Sequence, residues 1–213
     1  MKKIMLVFVL AAGILSCSNS NKIKGNKGWI SLFDGKTLDN WKASEKPGTF
    51  SVEDGAIKVA GVRSHLFYDG PVMNHNFTNF EIKFTVMTKP GSNSGIYFHT
   101  VYQPVGFPDK GFEVQVNNSH TDWKRTAGLY DIKDTKEVYV KDDVWFTEYI
   151  RVEGNHVITK INDIVVTDWI QPDGFVPPKG HAQRVISNGT FALQGHDPKS
   201  IAFFKDIMVR PLP

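Results

Sequence analysis

The sequence predicts an all-β sandwich of two antiparallel sheets, on three observations. Short runs of alternating apolar and polar residues recur along the chain, turn-forming pairs separate them, and no stretch carries the period of an amphipathic helix. Fifteen Phe and five Trp suit the wide core between two sheets better than a small closed barrel. No internal repeat of the propeller or solenoid kind is present.

Taken in order, the chain opens with Lys2 and Lys3, an apolar run from Ile4 to Leu15, and its only cysteine, Cys17, after Ser16. This is the layout of a secretory signal peptide, the run being shorter than the roughly 20 residues that a membrane-spanning helix needs. Ile14-Leu15-Ser16-Cys17 resembles the lipobox of bacterial lipoproteins. We therefore expect residues 1–16 to be a lipoprotein leader, Cys17 a lipidated first residue, and 17–27 a polar tether too poor in apolar groups to fold. A secreted protein with one spare thiol is the alternative. No acidic run follows Cys17, so the expected location is the periplasm-facing side of a bacterial envelope, held to the membrane by the anchor alone.

Residues 28–213 are long enough for one domain with its own core. They contain no cysteine, which excludes a disulfide framework and a cysteine metal site. The formal charge is +3, and removal of Lys2 and Lys3 leaves +1, a balance that recruits neither nucleic acid nor an anionic surface. Alternation predicts strands over Gly55 to Val59, Phe80 to Met87, Gly95 to Thr100, Gly111 to Asn117, Glu148 to Val152, His156 to Ile161, Ile164 to Trp169, Gly189 to Gln194 and Ile201 to Arg210. Asp54-Gly55, Pro90-Gly91 and Gly154-Asn155 mark turns, and Asn162-Asp163 reads as a two-residue hairpin loop.

Function has to be sought in the faces of these strands. Gly111 to Asn117 sets Phe112, Val114 and Val116 on one side and Glu113, Gln115 and Asn117 on the other. Gly95 to Thr100 likewise sets Tyr97 and His99 apart from Ile96 and Phe98, beside the first polar set if the two strands pair. A ring next to amides, a carboxylate and an imidazole has the composition of a sugar site, in which the ring stacks on a pyranose and the polar groups take its hydroxyls. An exposed antiparallel face is polar for blander reasons, and on the strands alone the two accounts are equal. Three further stretches favour a site: Arg125 to Asp131 with Tyr130, the segment His120, Asp122 and Trp123, and Ala192 to Asp197 with Gln194 and His196. For His196 alone, a bond within its own turn is the simpler account.

Trp29 to Leu38 with Trp41, Asn93 to Phe98, Glu113 to Val116, Arg125 to Asp131, Leu193 to His196 and Val209 to Leu212 resemble, in that order, the 3-keto-disaccharide hydrolase domain family. The resemblance covers nearly all of residues 28–213 and implies a concanavalin A-like jelly roll with a carbohydrate site on its concave sheet, and action on glycosides oxidised at C3. Many members have Arg after the Ile-Tyr-Phe run, where this chain has His99. Glucanases of the concanavalin-like fold carry Glu-x-Asp-x-Glu on one strand, because an unactivated glycosidic bond needs a nucleophile and a separate acid. The corresponding spacing here is Glu113, Gln115, Asn117, and amides can serve neither purpose.

A 3-keto sugar lowers that requirement. Its carbonyl acidifies the C2 hydrogen and places the C1 leaving group β to itself, so one base, one enolate stabiliser and one acid suffice for 1,2-elimination, with water addition completing a net hydrolysis. The candidate base is His196 or His99, with Arg125 at the enolate and Glu113 orienting a histidine or protonating the leaving oxygen. Tyr97, Gln115, Asn117, His120, Tyr130 and Gln194 are the candidate sugar-binding residues. Arg125 could instead pair with Asp131, and Tyr130 could be a core ring. A tethered lectin-like protein has the same face and anchor; the density of titratable groups speaks against it, and a structural envelope protein with no site stands last. His75, His99, His120 and His196 lie on separate segments, so no dedicated metal site is read. Related folds sometimes hold a structural calcium on loop carboxylates, which nothing in this sequence indicates, and the chemistry above requires no cofactor.

Overall fold

The structure, a computed structural model, describes residues 28–213. The leader, Cys17 and tether expected for residues 1–27 lie outside the described residues. Strands fill the chain in the order β1 (Ile30–Ser31), β2 (Trp41–Ala43), β3 (Phe50–Glu53), β4 (Ala56–Ala60), β5 (Ser64–Tyr68), β6 (Phe80–Thr88), β7 (Ser94–Thr100), β8 (Phe112–Val116), β9 (Phe146–Glu153), β10 (His156–Ile161), β11 (Ile164–Ile170), β12 (Thr190–Gly195) and β13 (Ile201–Pro211). The described residues hold no α-helix, only two short 3-10 turns at Pro47–Thr49 and Val72–His75.

They form an all-β sandwich of two antiparallel sheets. One runs β11-β10-β9-β6-β13-β4-β3 with β1 beside β13, and the other runs β2-β5-β12-β7-β8. The nine strands predicted from alternation are all present. β1, β2, β3 and β5 were missed. β5 reads Ser-His-Leu-Phe-Tyr and is buried at every position, so both its faces are covered and no polar side marks it as a strand. The hairpin at Asn162-Asp163 closes Ile161 on Ile164, and Asp54-Gly55 closes Glu53 on Ala56, with left-handed backbone at Asn162, Asp54 and Gly55.

Between the sheets the inward residues interleave as an aromatic core. Phe191 of β12 packs on Phe77 and Phe80 at centroid distances of 4.6 and 4.9 Å, and Phe98 stacks on Phe112 at 5.2 Å. Each such ring removes its full surface from water, which makes the clamp between sheets mainly hydrophobic. The outward face of the five-stranded sheet is therefore held firmly from behind. Lys205, on β13, lies in the other sheet with its ammonium 4.1 Å from the Trp145 ring, away from that face.

A carboxyl group sits in this core. Glu148 of β9 faces inward between Phe146 and Ile150, opposite Phe84 and Ile161, and neither carboxyl oxygen has a hydrogen-bond partner among the described residues. Burial pushes its pKa well up. The folded state keeps the proton that the unfolded chain releases near its ordinary value, so stability declines as pH rises above that value. Glu148→Leu is expected to raise stability at neutral pH by about 1–3 kcal/mol and to flatten this decline. Urea midpoints at acid and neutral pH check it, and a lower midpoint for the variant at both would refute the account.

Candidate active site

The outward face of the five-stranded sheet is built from cross-strand rows. Lys42 of β2 lies opposite Phe67 of β5, Phe67 opposite Ala192 of β12, Ala192 opposite Tyr97 of β7, and Tyr97 opposite Glu113 of β8. Loops cover this face and leave a cleft of about 290 Å³, floored by Tyr97, Glu113, Gln115 and Gln194 and walled by Asn93, Phe107, Tyr130, His181, Arg184 and His196 among others.

Glu113 is the centre of the floor. The Tyr97 hydroxyl donates to one carboxylate oxygen at 2.7 Å and the Gln194 amide to the other at 2.8 Å, while the same amide donates to the Tyr97 oxygen at 3.2 Å. Burial raises the Glu113 pKa, opposed by these hydrogen bonds and by the charges of Arg184 and His196. Burial and the neighbouring carboxylate push the Tyr97 phenol well up, so it remains a donor. Gly95 makes room for the arrangement: a Cβ there would lie 2.5 Å from Glu113 Oε1 and 3.0 Å from its Cγ.

His196 follows the end of β12. Its Nδ1 lies 2.9 Å from Asp197 Oδ2, and the same oxygen accepts from the Ser200 hydroxyl at 2.6 Å. Burial works against the Asp197 charge, but the hydrogen bonds from Ser200, His196 and the Lys199 amide outweigh it and hold the carboxyl at about 2. A carboxylate can only accept, so Nδ1 carries the proton and Nε2 keeps its lone pair. This is a carboxylate-oriented imidazole beside a cleft, the arrangement of a general base.

Arg184 was missed by the sequence reading, since nothing marks it in the long connection before β12. It is 3% exposed, its Nη1 donates to Tyr130 O at 2.9 Å, and its Nε has no hydrogen-bond partner among the described residues. His65 of β5 was missed with its strand. Its ring packs edge-on against Tyr97 and Phe107 at 5.4 and 5.5 Å, neither nitrogen has a hydrogen-bond partner among the described residues, and burial lowers its pKa to about 3. Gln115 Oε1 and Gln194 Oε1 are also buried and unpartnered. Buried polar atoms are rarely left so, and their concentration around one cleft points to a polar ligand.

Of the residues selected from the sequence, Glu113, Tyr97, Gln115, Gln194, Tyr130 and His196 line the cleft together. His120 stands behind it, its ring 5.8 Å from that of His196 and its Nδ1 accepting from the Asp122 amide. Three residues are elsewhere. At His99 the backbone turns left-handed (φ 55°), which breaks the alternation and directs the ring to Thr78 O and the Ser187 amide, against Phe80. Gly111 permits this bend, because a Cβ there would come 2.2 Å from Phe98 O. Asn117 lies just past the end of β8 and ties its loop, donating to Asp122 O and Lys124 O and accepting from the His120 amide. Arg125 donates to His120 O, Asp122 O and Asn117 Oδ1 within the same loop. Its expected partner Asp131 is bound by Lys124, whose ammonium also sits 3.6 Å from the Tyr130 ring. Among the described residues no cluster of three metal-ligating side chains occurs.

Fold and cleft together define a galectin- and concanavalin-like β-sandwich with a polar pocket on one sheet. The chain belongs to the 3-keto-alpha-glucoside-1,2-lyase-like domain family, whose model matches residues 28–210. A 3-keto-disaccharide hydrolase of Bacteroides thetaiotaomicron is 30% identical over 131 residues, which is 49% of this chain and 45% of that protein. The chain thus aligns with about half the length of that relative. A Parabacteroides distasonis structure, provisionally named a glycosyl hydrolase, superposes with a TM-score of 0.75 at 21% identity, covering 87% of this chain and 94% of its own. A Bacillus subtilis protein of unknown function with a galectin-like fold gives 0.59 at 12% identity, covering 82% and 90%.

Two outcomes follow from this geometry. Gly95→Ala must move the Glu113 carboxylate out of its bonds with Tyr97 and Gln194, at an expected cost of about 1–3 kcal/mol. Chemical denaturation measures it, and an unchanged midpoint would mean that the floor yields without loss. Burial holds His65 at about 3 and His99 at about 4 in the folded state. Both therefore remain neutral while the unfolded chain takes up protons near pH 6.5, so the stability present above about pH 6.5 is lost as pH falls toward those folded values. His65→Phe should reduce the acid-side slope of stability against pH; an unaltered slope would remove His65 from the account.

Proposed function

We propose that the chain cleaves 3-keto-glycosides by C2 deprotonation and 1,2-elimination, followed by addition of water. The observation that carries this reading is the meeting, in one cleft, of an Asp197-oriented His196 with a buried Glu113 of raised pKa and the Arg184 guanidinium. His196 Nε2 takes the C2 proton, and the electron pair enters the C1–C2 bond as the C1–O bond breaks. Arg184, in the place first given to Arg125, offsets the charge that develops on the C3 oxygen. Glu113, whose burial favours its protonated form, gives its proton to the departing oxygen. Water then adds hydroxyl to C1 and hydrogen to C2 of the enone, and the net reaction is hydrolysis. Tyr97, Gln115, Gln194 and Tyr130 hold the ring.

Gln115 beside Glu113 supports this over a two-carboxylate glycosidase, since an activated substrate needs only one acid on the strand. The family membership and the Bacteroides relative's name support the same substrate class. The alternative, a non-catalytic glycan-binding protein, draws on the unpartnered Gln115 and Gln194 oxygens, which suit sugar hydroxyls in either case. Tethering through Cys17 to the periplasmic side of the envelope remains part of the proposal.

Incubation with 3-keto-glucosides of both anomers in deuterated water decides between them. The expected product carries deuterium at C2, and His196→Gln and Glu113→Gln each lower kcat by about 10²-fold or more. Because Glu113 acts as an acid of raised pKa, the rate falls as pH rises through that value, and Glu113→Gln removes this limb of the profile. Intact glycoside after long incubation would establish the binding protein; cleavage without C2 deuterium would establish direct hydrolysis.

A further inference from the structure

A second cavity of about 270 Å³ opens on the same sheet face, at the other end of the row that ends in Glu113. Its floor is Phe67, and its walls include Lys42, Asp69, Asn74, His75 and Tyr102. Phe67 and Tyr97 are two strands apart, about 10 Å, so the two cavities occupy separate ground. Phe107 belongs to the first and Tyr102 to the second.

Its chemistry differs from that of the cleft. Tyr102 is 39% exposed, packs edge-on against Phe67 at 5.3 Å and carries the Lys42 ammonium 3.9 Å from its ring centre. Lys42 and Asp69 supply one charge of each sign, which selects against an ion and suits a neutral polyol whose hydroxyls both donate and accept. The Asn74 side chain is exposed on this wall.

The wall is also strained. Met73, Asn74 and His75 run consecutively at φ of 52°, 49° and 46°, left-handed backbone that non-glycine residues avoid at a cost of about 1–3 kcal/mol each. The turn is held by Asn74 N donating to Pro71 O, Asn76 N to Met73 O and Val72 N to the Tyr68 hydroxyl. All three residues are exposed, between Val72 and Phe77, which pack on the core, and the turn sets Asn74 and His75 against the cavity.

We propose that this cavity is a second carbohydrate site, which takes a hexose unit of an unoxidised glycan and holds the protein on it while the cleft acts on 3-keto units. The proposal rests on the carbohydrate side of the reading above and on none of the catalytic roles. The test is calorimetric titration of the full chain with maltotriose, cellotriose and inorganic phosphate, alongside Tyr102→Ala, Asn74→Gly and Glu113→Gln. One of the neutral trisaccharides is expected to bind; Tyr102→Ala weakens it by roughly ten-fold or more, and Glu113→Gln leaves it unchanged. Asn74→Gly relieves the left-handed backbone, so it keeps or gains stability and yet binds more weakly, which separates loss of the site from loss of the fold. Absence of binding by both trisaccharides, binding that Glu113→Gln abolishes and Tyr102→Ala spares, or binding of phosphate in their place would each overturn the proposal. Turnover of 3-keto-glucosides is read in the same preparations: its absence with trisaccharide binding intact would remove the lyase reading and leave the second site standing.

Discussion

A carboxyl group removed from water is the constraint around which the five-stranded sheet is organised. Glu113 is 5% exposed, and the desolvation of a charge in such a place is costly unless hydrogen bonds replace the lost water. The sheet supplies two, from Tyr97 and Gln194, on the two strands nearest β8, and gives up a side chain at Gly95 to make the space. Three strands must therefore stay in register for one carboxyl group to be tolerated. The aromatic clamp of Phe191, Phe98 and Phe112 behind them holds that register, so the hydrophobic core and the polar floor are two sides of one requirement.

The histidines show how the same side chain is put to different uses by its backbone. His99 and His65 are buried and kept neutral, one between a carbonyl and an amide, the other among rings. His196 lies past the last residue of β12, where the chain turns and Asp197, itself held by the Ser200 hydroxyl, can reach it. A group that must exchange protons needs access to water or substrate and a fixed tautomer, and only the position beyond the strand end combines the two.

The sequence was informative wherever one face of a strand differs from the other. β8 and β7 alternate, so Glu113, Gln115 and Tyr97 could be placed on a common face from their spacing alone. Alternation failed at both ends of that face for physical reasons. At His99 the left-handed backbone turns the strand over, and at Asn117 the strand has already ended, so the side chain serves its own loop. β5 is covered on both faces, which erased the signal for His65 and Phe67 together. Arg125 was chosen as the cation because it stands in a motif rich in chemistry, yet its Nη1 is turned to the His120 and Asp122 carbonyls and to Asn117 Oδ1 of the preceding loop. Arg184 lies in a stretch without periodicity and reaches the cleft only through tertiary folding, for which no local pattern exists.

The economy of charged groups on the floor bears on what the cleft can do. A second carboxylate at position 115 would share the same dry face with Glu113, and two like charges there would raise each other's pKa until one was neutralised. Enzymes that need both must solvate or separate them. The amide of Gln115 avoids that conflict: it donates to Asn93 Oδ1 and keeps an acceptor for a hydroxyl. In the proposed reaction the second function is moved off the sheet to His196, whose charge when protonated opposes the rise in the Glu113 pKa. On that proposal an imidazole that gains a proton while a neighbouring carboxyl loses one would turn the coupling into assistance, since the ion pair would form only as the reaction proceeds.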